Sequence, residues 1–260
     1  MRDYLNEYYS GANEDARLLS RHGSVEYLTT MRYIHKYLSP GARVLEVGAG
    51  TGRYTLALAR EGYRMSAVEL LEHNLGILRG KLGEGDDVEL RQGNALDLSA
   101  YPDAAFDGVL LLGPMYHLYR REDKLRALSE AKRVTRPGGV VMAAYCMNEA
   151  TIISWGFAGD GEHLQDAIRK GMLTEDFHCI SKPEDIFEMT RLEDIDGYDR
   201  DCALRRLEIV ATDLFTNYMK QQVDAWSDVV FETYLRYHFT VCARPDLIGL
   251  THHALDILRR

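Results

Sequence analysis

The 260-residue sequence contains few cysteines, and none of them is spaced for a disulfide framework or a zinc site. The four are scattered along the chain without a C-x-x-C pair, at Cys146, Cys179, Cys202 and Cys242. This usage is typical of proteins in a reducing cytosol. Two of them follow a histidine, in His178-Cys179 and in His238…Cys242. Because adjacent side chains point in different directions and no pattern joins the two pairs, we expect no metal site.

Long apolar runs are also absent. No run approaches the roughly 20 apolar residues that a membrane-spanning helix needs. The start of the sequence, MRDYLNEYYSG, is polar and rich in tyrosine, without the apolar segment of a signal peptide. We therefore expect a cytoplasmic protein with no membrane partner.

Basic residues are outnumbered by acidic ones. The sequence has 31 Lys and Arg against 40 Asp and Glu, a formal net charge of −9. Binding to a nucleic-acid backbone requires a basic face, so this charge argues against a nucleic-acid partner, although it is compatible with a local basic patch. The sequence carries no pattern that indicates an oligomeric state.

What the sequence does contain is an alternation of strand and helix patterns over its first 150 residues. Such alternation predicts βαβ units and a doubly wound α/β fold with a mostly parallel sheet. The predicted strands are residues 43–47, 64–69, 88–92, 106–113 and 140–147. The predicted helices are residues 24–38, 53–60, 72–81 and 122–136, the last of them ended by Pro-Gly-Gly at residues 137–139.

The second half of the sequence is less regular. Residues 148–180 have the composition of an insertion, and a capping-box pattern from Ser181 to Glu184 predicts a helix to about residue 192. A sixth strand is predicted over residues 204–211, one helix over residues 215–237 and a closing strand over residues 252–258. No linker divides the chain, so we predict a single domain over residues 1–260.

The most informative stretch is VLEVGAGTGRYTLALA, residues 44–59, in which a strand ends in glycines and a helix begins at once. Glycines at such a turn allow unusual backbone dihedrals and the close approach of a ligand. A dinucleotide fingerprint would need a glycine where this chain has Arg53. Glu69 ends the next strand, where it can accept hydrogen bonds from both hydroxyls of a ribose; the alternative is a solvated strand end. The pattern favours a ribose-bearing ligand without a pyrophosphate.

An acidic residue followed by G-x-G-x-G resembles the first motif of the class I S-adenosylmethionine-dependent methyltransferases. In this chain the motif consists of Glu46, Gly48, Gly50 and Gly52. The run LLLGPMYHL, followed by RVTRPGG, is similar to a bacterial subgroup that shows G-P-x-Y-H-L. The resemblance covers nearly the whole chain. It implies a seven-stranded Rossmann-like sheet with the last strand antiparallel, and S-adenosylmethionine as the cofactor.

The resemblance also implies which residues contact the cofactor. They are Glu46, Gly48, Ala49, Gly50, Thr51, Gly52, Glu69, Leu70, Asn94, Ala95, Leu112 and Gly113. Asn94 departs from the family's usual aspartate, although its side-chain carbonyl can still accept a bond from the adenine amino group. The alternative is a turn in which Asn94 bonds its own backbone. Glu46 is expected to order the glycine loop through backbone N–H groups or to contact the ammonium group of the cofactor.

The loop after the fourth strand contains the candidate catalytic residues. His117 is the first candidate for a general base or for a group that positions the acceptor, since imidazole titrates near neutral pH. The alternative is that His117 contacts the loop or the cofactor, and Tyr116 is a second candidate that could equally be packing. GPMY at residues 113–116 replaces the signature [DN]-P-P-[YF], which counts against an enzyme that methylates the exocyclic amine of a nucleobase. The sequence also lacks the Pro-Cys dipeptide in which pyrimidine-C5 methyltransferases carry their nucleophile. Methyl transfer requires no metal.

Several segments are predicted to cover the cavity. They are an N-terminal helical lid over residues 1–40 and cap insertions over residues 148–180 and 214–250, since long insertions are often lids. Their aromatic and basic residues are Tyr4, Tyr8, Tyr9, Arg17, Trp155, Phe157, Tyr218, Trp226, Tyr234 and Tyr237. The alternative is that these aromatic residues, which recur at helical spacing, pack in the hydrophobic core. A covered pocket favours a small-molecule acceptor.

The predicted activity is direct methyl transfer to an oxygen, nitrogen or carbon of a small molecule. One alternative is an RNA or protein methyltransferase, and another is a non-catalytic protein that binds S-adenosylmethionine. A nicotinamide-dependent oxidoreductase is opposed by Arg53 and by the missing third glycine of the dinucleotide fingerprint.

Overall fold

The computed structural model describes residues 2–11, 18–157 and 161–260. The α-helices of these residues are α1 (Arg2–Gly11), α2 (Arg21–Tyr37), α3 (Arg53–Arg60), α4 (Glu72–Lys81), α5 (Arg121–Val134), α6 (Asn148–Thr151), α7 (Glu162–Arg169), α8 (Leu192–Asp201), α9 (Lys220–Asp224) and α10 (Asp228–Val241). Its strands are β1 (Arg43–Val47), β2 (Arg64–Glu69), β3 (Val88–Gln92), β4 (Phe106–Leu111), β5 (Thr135–Met147), β6 (Met189–Thr190), β7 (Arg205–Ala211) and β8 (His253–Arg259).

The strands form an eight-stranded mixed sheet in the order β3-β2-β1-β4-β5-β8-β7, and the two-residue β6 pairs with β5 outside this path. Neighbours among β1 to β5 are parallel, whereas β8 runs antiparallel to β5 and β7. This confirms the predicted doubly wound Rossmann-like sheet with its last strand antiparallel. The chain leaves β1 for β2 on one side and later returns to β4 on the other, so a crevice opens at the carboxyl end of β1.

Apolar layers cover both faces of the sheet. Successive residues of a strand point to opposite faces, and in β4 Val109 packs into one layer while Leu110 packs into the other. Helix α5 contributes Leu128 to the first layer, and α2 contributes Ile34 to the second. Helix α2 therefore belongs to the core, although it lies inside the segment predicted as a lid.

The sequence predicted that Pro-Gly-Gly at residues 137–139 separates α5 from a strand that begins at Val140, and this prediction is wrong. Strand β5 begins at Thr135, immediately after α5, and contains these residues. Thr135 pairs with Phe106, and the register shifts before Gly108 pairs with Val140. A Cβ atom on Gly139 would lie 2.7 Å from the carbonyl oxygen of Asp107, so the glycine permits a close approach of the two strands.

The prediction of a helix from Ser181 to residue 192 is wrong. This segment forms the short 3₁₀ turn Pro183–Asp185, followed by β6, and α8 begins only at Leu192. The capping contact forms one residue later than predicted, because the Asp185 carboxylate accepts a hydrogen bond from the Lys182 amide. Pairing of β6 with β5 then outweighs the local helical pattern.

The single helix predicted over residues 215–237 is also wrong. Two helices, α9 and α10, take its place, and the Ser227 hydroxyl caps α10 by accepting a hydrogen bond from the Val230 amide. Val223 and Tyr234 are both buried, so apolar periodicity continues across the break and conceals it. Among the described helices, none is long and apolar enough to cross a membrane.

Candidate functional site

A cavity of about 170 Å³ lies at the carboxyl ends of β1, β2 and β4. Its walls are the glycine loop after β1, the end of β2, the loop after β3 and the segment after β4. Every residue predicted to contact the cofactor lines this cavity except Gly52, and both candidate catalytic residues, Tyr116 and His117, line it as well. The cavity also contacts Leu5 and Tyr9 of α1.

Three glycines shape the loop after β1, and each has a positive φ: +78° at Gly48, +54° at Gly50 and +91° at Gly52. A Cβ atom on Gly48 would lie 2.8 Å from Pro114 Cδ, so only glycine allows the two loops to meet. The same atom on Gly50 would meet nothing within 4 Å. Gly50 therefore leaves open space in which a ligand can approach the backbone.

Gly52 serves packing and does not line the cavity. A Cβ atom on Gly52 would lie 2.1 Å from Leu78 Cδ1. Gly52 thus lets the first turn of α3 pack against α4, and the predicted cofactor contact at this position is not seen in the geometry.

Glu69, at the end of β2, connects the glycine loop to the start of α4. Its Oε2 accepts a hydrogen bond of 2.8 Å from the Gly50 amide, and its Oε1 accepts one of 2.9 Å from the Leu71 amide. Burial raises the pKa of Glu69, and these backbone hydrogen bonds oppose that rise. The Asn74 side chain and the Leu70 backbone also lower the pKa of this carboxylate by hydrogen bonding, so a ligand hydroxyl would share it with these donors or displace one of them.

Glu46 has a different partner from the one predicted. Its described hydrogen bond comes from the hydroxyl of Thr55 in α3, and the glycine loop is held through Gly50 by Glu69 instead. Burial raises the pKa of Glu46 to about 8, against the lowering effect of Thr55, and nearby Glu69 adds to the rise. Glu46 therefore carries a proton for much of the time near neutral pH.

Asn94 forms the turn that was the alternative interpretation of this residue. Its Oδ1 accepts a hydrogen bond of 3.0 Å from the Leu96 amide. Within the described part of the chain, no residue accepts a hydrogen bond from its side-chain NH₂ group. Asn94, Ala95 and Leu70 form one end of the cavity, and Leu112 and Gly113 form the other.

His117 connects three segments. Its Nδ1 lies 2.9 Å from the carbonyl oxygen of Ile186, and its Nε2 lies 2.9 Å from the hydroxyl of Tyr9 in α1. Because a carbonyl only accepts, Nδ1 carries the proton and Nε2 accepts from Tyr9. Burial lowers the pKa of His117 to about 4, so the ring is neutral near pH 7. The Tyr116 hydroxyl donates to the carbonyl oxygen of Leu112.

A buried ion pair, which sequence reasoning missed, supports this loop. Lys124 of α5 donates 2.5 Å hydrogen bonds to the Met115 carbonyl oxygen and to Glu188 Oε2. The Glu188 amide in turn donates to the Tyr116 carbonyl oxygen. Lys124 precedes Leu128 by four positions and so lies on the apolar face of α5, the one pattern that could have revealed it.

Arg53 also lines the cavity, although the sequence suggested only that it excludes a dinucleotide. Its guanidinium carbon lies 4.5 Å from the centre of the Tyr27 ring. Its Nε is buried, and no described residue accepts a hydrogen bond from it. An unsatisfied buried donor at a cavity wall suits an anionic ligand group.

The predicted covering residues are distributed differently from expectation. Tyr9 lines the cavity and Tyr8 lines a second one beside it, whereas Trp155 stacks on His163. Tyr218 contacts the ring of His252, and Trp226, Tyr234 and Tyr237 contact rings within residues 214–250. Tyr4 and Phe157 are exposed. Arg17 lies outside the described residues. Helix α1 is therefore the described element that covers the cavity.

Residues 45–143 match a family model described as a methyltransferase domain. A ubiquinone biosynthesis O-methyltransferase of Methylocella silvestris is 30% identical over 186 residues, which are 70% of this chain and 68% of the relative. A demethylmenaquinone methyltransferase of Lysinibacillus sphaericus is 32% identical over 111 residues, 42% of this chain and less than half, 46%, of the relative.

Among solved structures, an S-adenosylmethionine-dependent methyltransferase from Thermotoga maritima superposes with a TM-score of 0.58 at 20% identity. The superposition covers 99% of this chain and 97% of the other. At this level of identity the likeness shows a shared fold.

Proposed function

Because the chain belongs to the class I S-adenosylmethionine-dependent methyltransferases, we propose that it binds S-adenosylmethionine in the cavity at the carboxyl ends of β1, β2 and β4. We further propose that it transfers the methyl group directly to an oxygen, nitrogen or carbon of a small molecule. The observation that carries this proposal is Glu69, whose carboxylate lines the cavity while it holds the Gly50 amide.

The walls of the cavity offer contacts for each part of this cofactor. Glu69 supplies acceptors for the two ribose hydroxyls, and the open space at Gly50 leaves room for the nucleoside beside the backbone. We place the adenine between Leu70 and Asn94, where the unpartnered side-chain NH₂ of Asn94 can donate to a ring nitrogen. We place the amino-acid part near Gly113, with its carboxylate against the unsatisfied Nε of Arg53.

S-adenosylmethionine, when bound, supplies a sulfonium methyl whose carbon forms a bond to the acceptor's lone pair while the carbon–sulfur bond breaks and its electron pair stays on sulfur. The chain must hold the acceptor in line with this carbon and exclude water, and such positioning contributes about 7–11 kcal/mol. Helix α1 covers the cavity through Leu5 and Tyr9 and so excludes water. An acceptor hydroxyl passes its proton in the same step to the group that accepts its hydrogen bond, or it reacts as an anion whose proton has already gone to solvent.

His117 is suited to orient the acceptor. Its pKa of about 4 makes it a weak base at neutral pH, but its Nε2 lone pair accepts a hydrogen bond. An acceptor O–H or N–H that replaces the Tyr9 hydroxyl at Nε2 would be held with its own lone pair free for attack. We assign this positioning role to His117, and to Tyr116 the role of a wall that keeps the acceptor beside Leu112.

The direct test is calorimetric titration with S-adenosylhomocysteine. Glu69→Ala removes two charged hydrogen bonds, each about 1.5–3 kcal/mol, so we expect affinity to fall by about a hundredfold or more. The matched control is Glu72→Ala, which removes an exposed carboxylate at the start of α4. Equal affinity of wild type and Glu69→Ala for this ligand would refute the proposal.

A further inference from the structure

A second chamber of about 250 Å³ lies beside the first cavity. Tyr9 and Tyr116 line both, so these two side chains stand at the boundary between them. The floor of the second chamber is the carboxyl end of β5, at Cys146, and the paired start of β8, at His253. An acceptor that enters the first cavity from this side would meet the sulfonium end near Tyr116.

The side of the chamber near this boundary is aromatic. Tyr8 and Tyr9 of α1, Tyr116 and Phe187 line it. The Phe187 ring lies 5.5 Å from that of Tyr8 and 5.9 Å from that of Tyr116. A dry cavity of about 150 Å³ holds a benzene molecule, so 250 Å³ accommodates one substituted ring. Aromatic walls of this size favour a planar ring as the occupant.

The far side of the chamber is polar and is built around Asp213, which is fully buried. Its Oδ2 accepts hydrogen bonds from His253 Nδ1 at 2.7 Å and from Asn217 at 2.6 Å. Its Oδ1 accepts from the hydroxyl of Thr251 and from the His252 amide. This carboxylate is fully engaged, and it holds the His253 ring by its Nδ1 edge.

His253 presents its other ring nitrogen to the chamber. Its side chain is 23% exposed, and within the described ranges no residue hydrogen-bonds to Nε2. Glu26 lies 3.5 Å from Nδ1, so both nearby carboxylates contact the same edge of the ring. Burial disfavours the charged ring, but Glu26, Cys146 and Asp213 outweigh it and raise the pKa of His253 well above its ordinary value. The Nε2–H is therefore a cationic donor at neutral pH.

Lys220, at the start of α9, adds a second cationic donor. It lines the chamber, it is exposed, and no carboxylate of the described residues pairs with its ammonium. The remaining polar groups at this end are His22, whose Nδ1 is bonded to Asp224, and His252, whose Nε2 is bonded to Ser154. The His253 Nε2–H, on a ring whose Nδ1 is paired with Asp213, and the Lys220 ammonium are thus the two cationic donors of the chamber for which the described residues supply no acceptor.

We propose that the second chamber is the acceptor site and that its acceptor is a single-ring aromatic acid, whose anionic group binds His253 Nε2 and the Lys220 ammonium. The ring then lies among Tyr8, Tyr116 and Phe187, and its nucleophilic atom points to His117. This inference rests on the proposed function, because it takes the first cavity to hold S-adenosylmethionine.

A metal centre is the competing interpretation of this end of the chamber. Ligand atoms of Glu26, Asp213 and His253 lie within 4.8 Å of one another. A metal ligand must offer a lone pair, but the His253 Nδ1 proton is donated to Asp213. The hydrogen-bonded ion pair accounts for these contacts without a metal.

The test uses the 260-residue chain saturated with S-adenosylhomocysteine and three para-substituted phenols of similar size: 4-hydroxybenzoate, the neutral 4-hydroxybenzamide and the cationic 4-hydroxybenzylamine. Calorimetry should show 4-hydroxybenzoate binding at least tenfold more tightly than either of the others. His253→Gln should weaken its binding about tenfold, and Lys220→Gln about threefold. The matched controls are His35→Gln, a surface histidine paired with Glu61, and Lys170→Gln, and both should bind like wild type.

Each outcome is decisive. Binding of S-adenosylhomocysteine reports the fold of each variant, and Lys220→Gln changes only an exposed side chain. If wild type fails to bind S-adenosylhomocysteine, the proposed function is wrong. If it binds that ligand but prefers the amide or the amine, or binds none of the three probes, the acceptor inference alone is wrong. Stoichiometric Zn²⁺ binding that His253→Gln abolishes, without preference for the carboxylate, would assign a metal centre instead.

Discussion

The Gly50 amide donates a 2.8 Å hydrogen bond to Glu69 Oε2, and this bond joins the glycine loop after β1 to the end of β2. One carboxylate thus orders the loop and also lines the cavity. Loop order and ligand binding therefore depend on the same side chain. The proposed cofactor site depends on that arrangement.

Gly50→Val should abolish binding of S-adenosylhomocysteine while the protein remains folded. The side chain would enter the open space at Gly50, and the positive φ would cost about 1–2 kcal/mol. Gly62→Ala is the matched control, because Gly62 has a φ of +90° and lies away from the cavity. Calorimetry and thermal melting together should show similar destabilisation but normal affinity in the control. Normal affinity in Gly50→Val would contradict the placement of the nucleoside.

Gly52→Ala should act on stability and spare affinity. Its Cβ atom would overlap Leu78 Cδ1 at 2.1 Å in a backbone conformation that disfavours side chains. We expect a loss of about 2–4 kcal/mol in the free energy of unfolding, measured with urea. Leu78→Ala removes the overlapping atoms, so Gly52→Ala should cost less stability in the Leu78→Ala protein than in wild type. Additive effects of the two substitutions would show that this contact does not limit the residue at position 52.

Lys124→Met should destabilise the protein by about 3–5 kcal/mol, because it leaves Glu188 partly buried without its partner. It also releases the Met115 carbonyl, so the loop that carries Tyr116 and His117 loses support. Methyl transfer should fall more than affinity for S-adenosylhomocysteine. Lys124→Met combined with Glu188→Gln should recover part of the stability. Unchanged turnover in the stable double variant would show that the pair does not position the loop.

The contribution of His117 to the stability of the protein should fall as the pH falls from about 6.5 to about 4, whereas Glu46, whose pKa is raised to about 8, acts in the opposite direction. The folded-state pKa of His117 is about 4, below the ordinary value of 6.5, so the unfolded chain binds the additional proton in this window. The contribution of His117 to the free energy of unfolding is fully present above pH 6.5 and amounts to at most about 3 kcal/mol. His238 and His252, with pKa values of about 4, contribute in the same direction.

His117→Gln should reduce this pH dependence. Urea unfolding at several pH values would measure the free energy of unfolding of both proteins. The difference in this free energy between wild type and His117→Gln should shrink as the pH falls. His35→Gln is the control, since His35 is exposed. An unchanged slope in His117→Gln would show that His117 is charged in the folded protein.

Local patterns predicted the first half of the fold because the residues that decide it are close in sequence. The run from Val44 to Ala59 contains its own strand, its own glycine turn and its own helix, and the bounds of β1 and α3 match the prediction. Glu69 follows one strand later and could be placed from the parallel topology alone. The loops that line the first cavity were predictable for the same reason.

The rest depended on contacts between distant segments. The strand β6 exists because it pairs with β5, and nothing in residues 181–192 indicates that pairing. His253, Asp213 and Glu26 come from the start of β8, the end of β7 and α2, so no spacing reveals their chamber. Lys124 lies on the apolar face of its helix in sequence, but its support of the loop depends on contacts with Met115 and Glu188 that no local pattern shows.

The central claim is tested most directly by a crystal structure of the protein with S-adenosylhomocysteine. The account predicts both ribose hydroxyls within about 2.7–3.2 Å of the Glu69 carboxylate oxygens and the sulfur directed toward Tyr116. A ligand bound elsewhere, or a glycine loop closed over Gly50 with no room for the nucleoside, would contradict it.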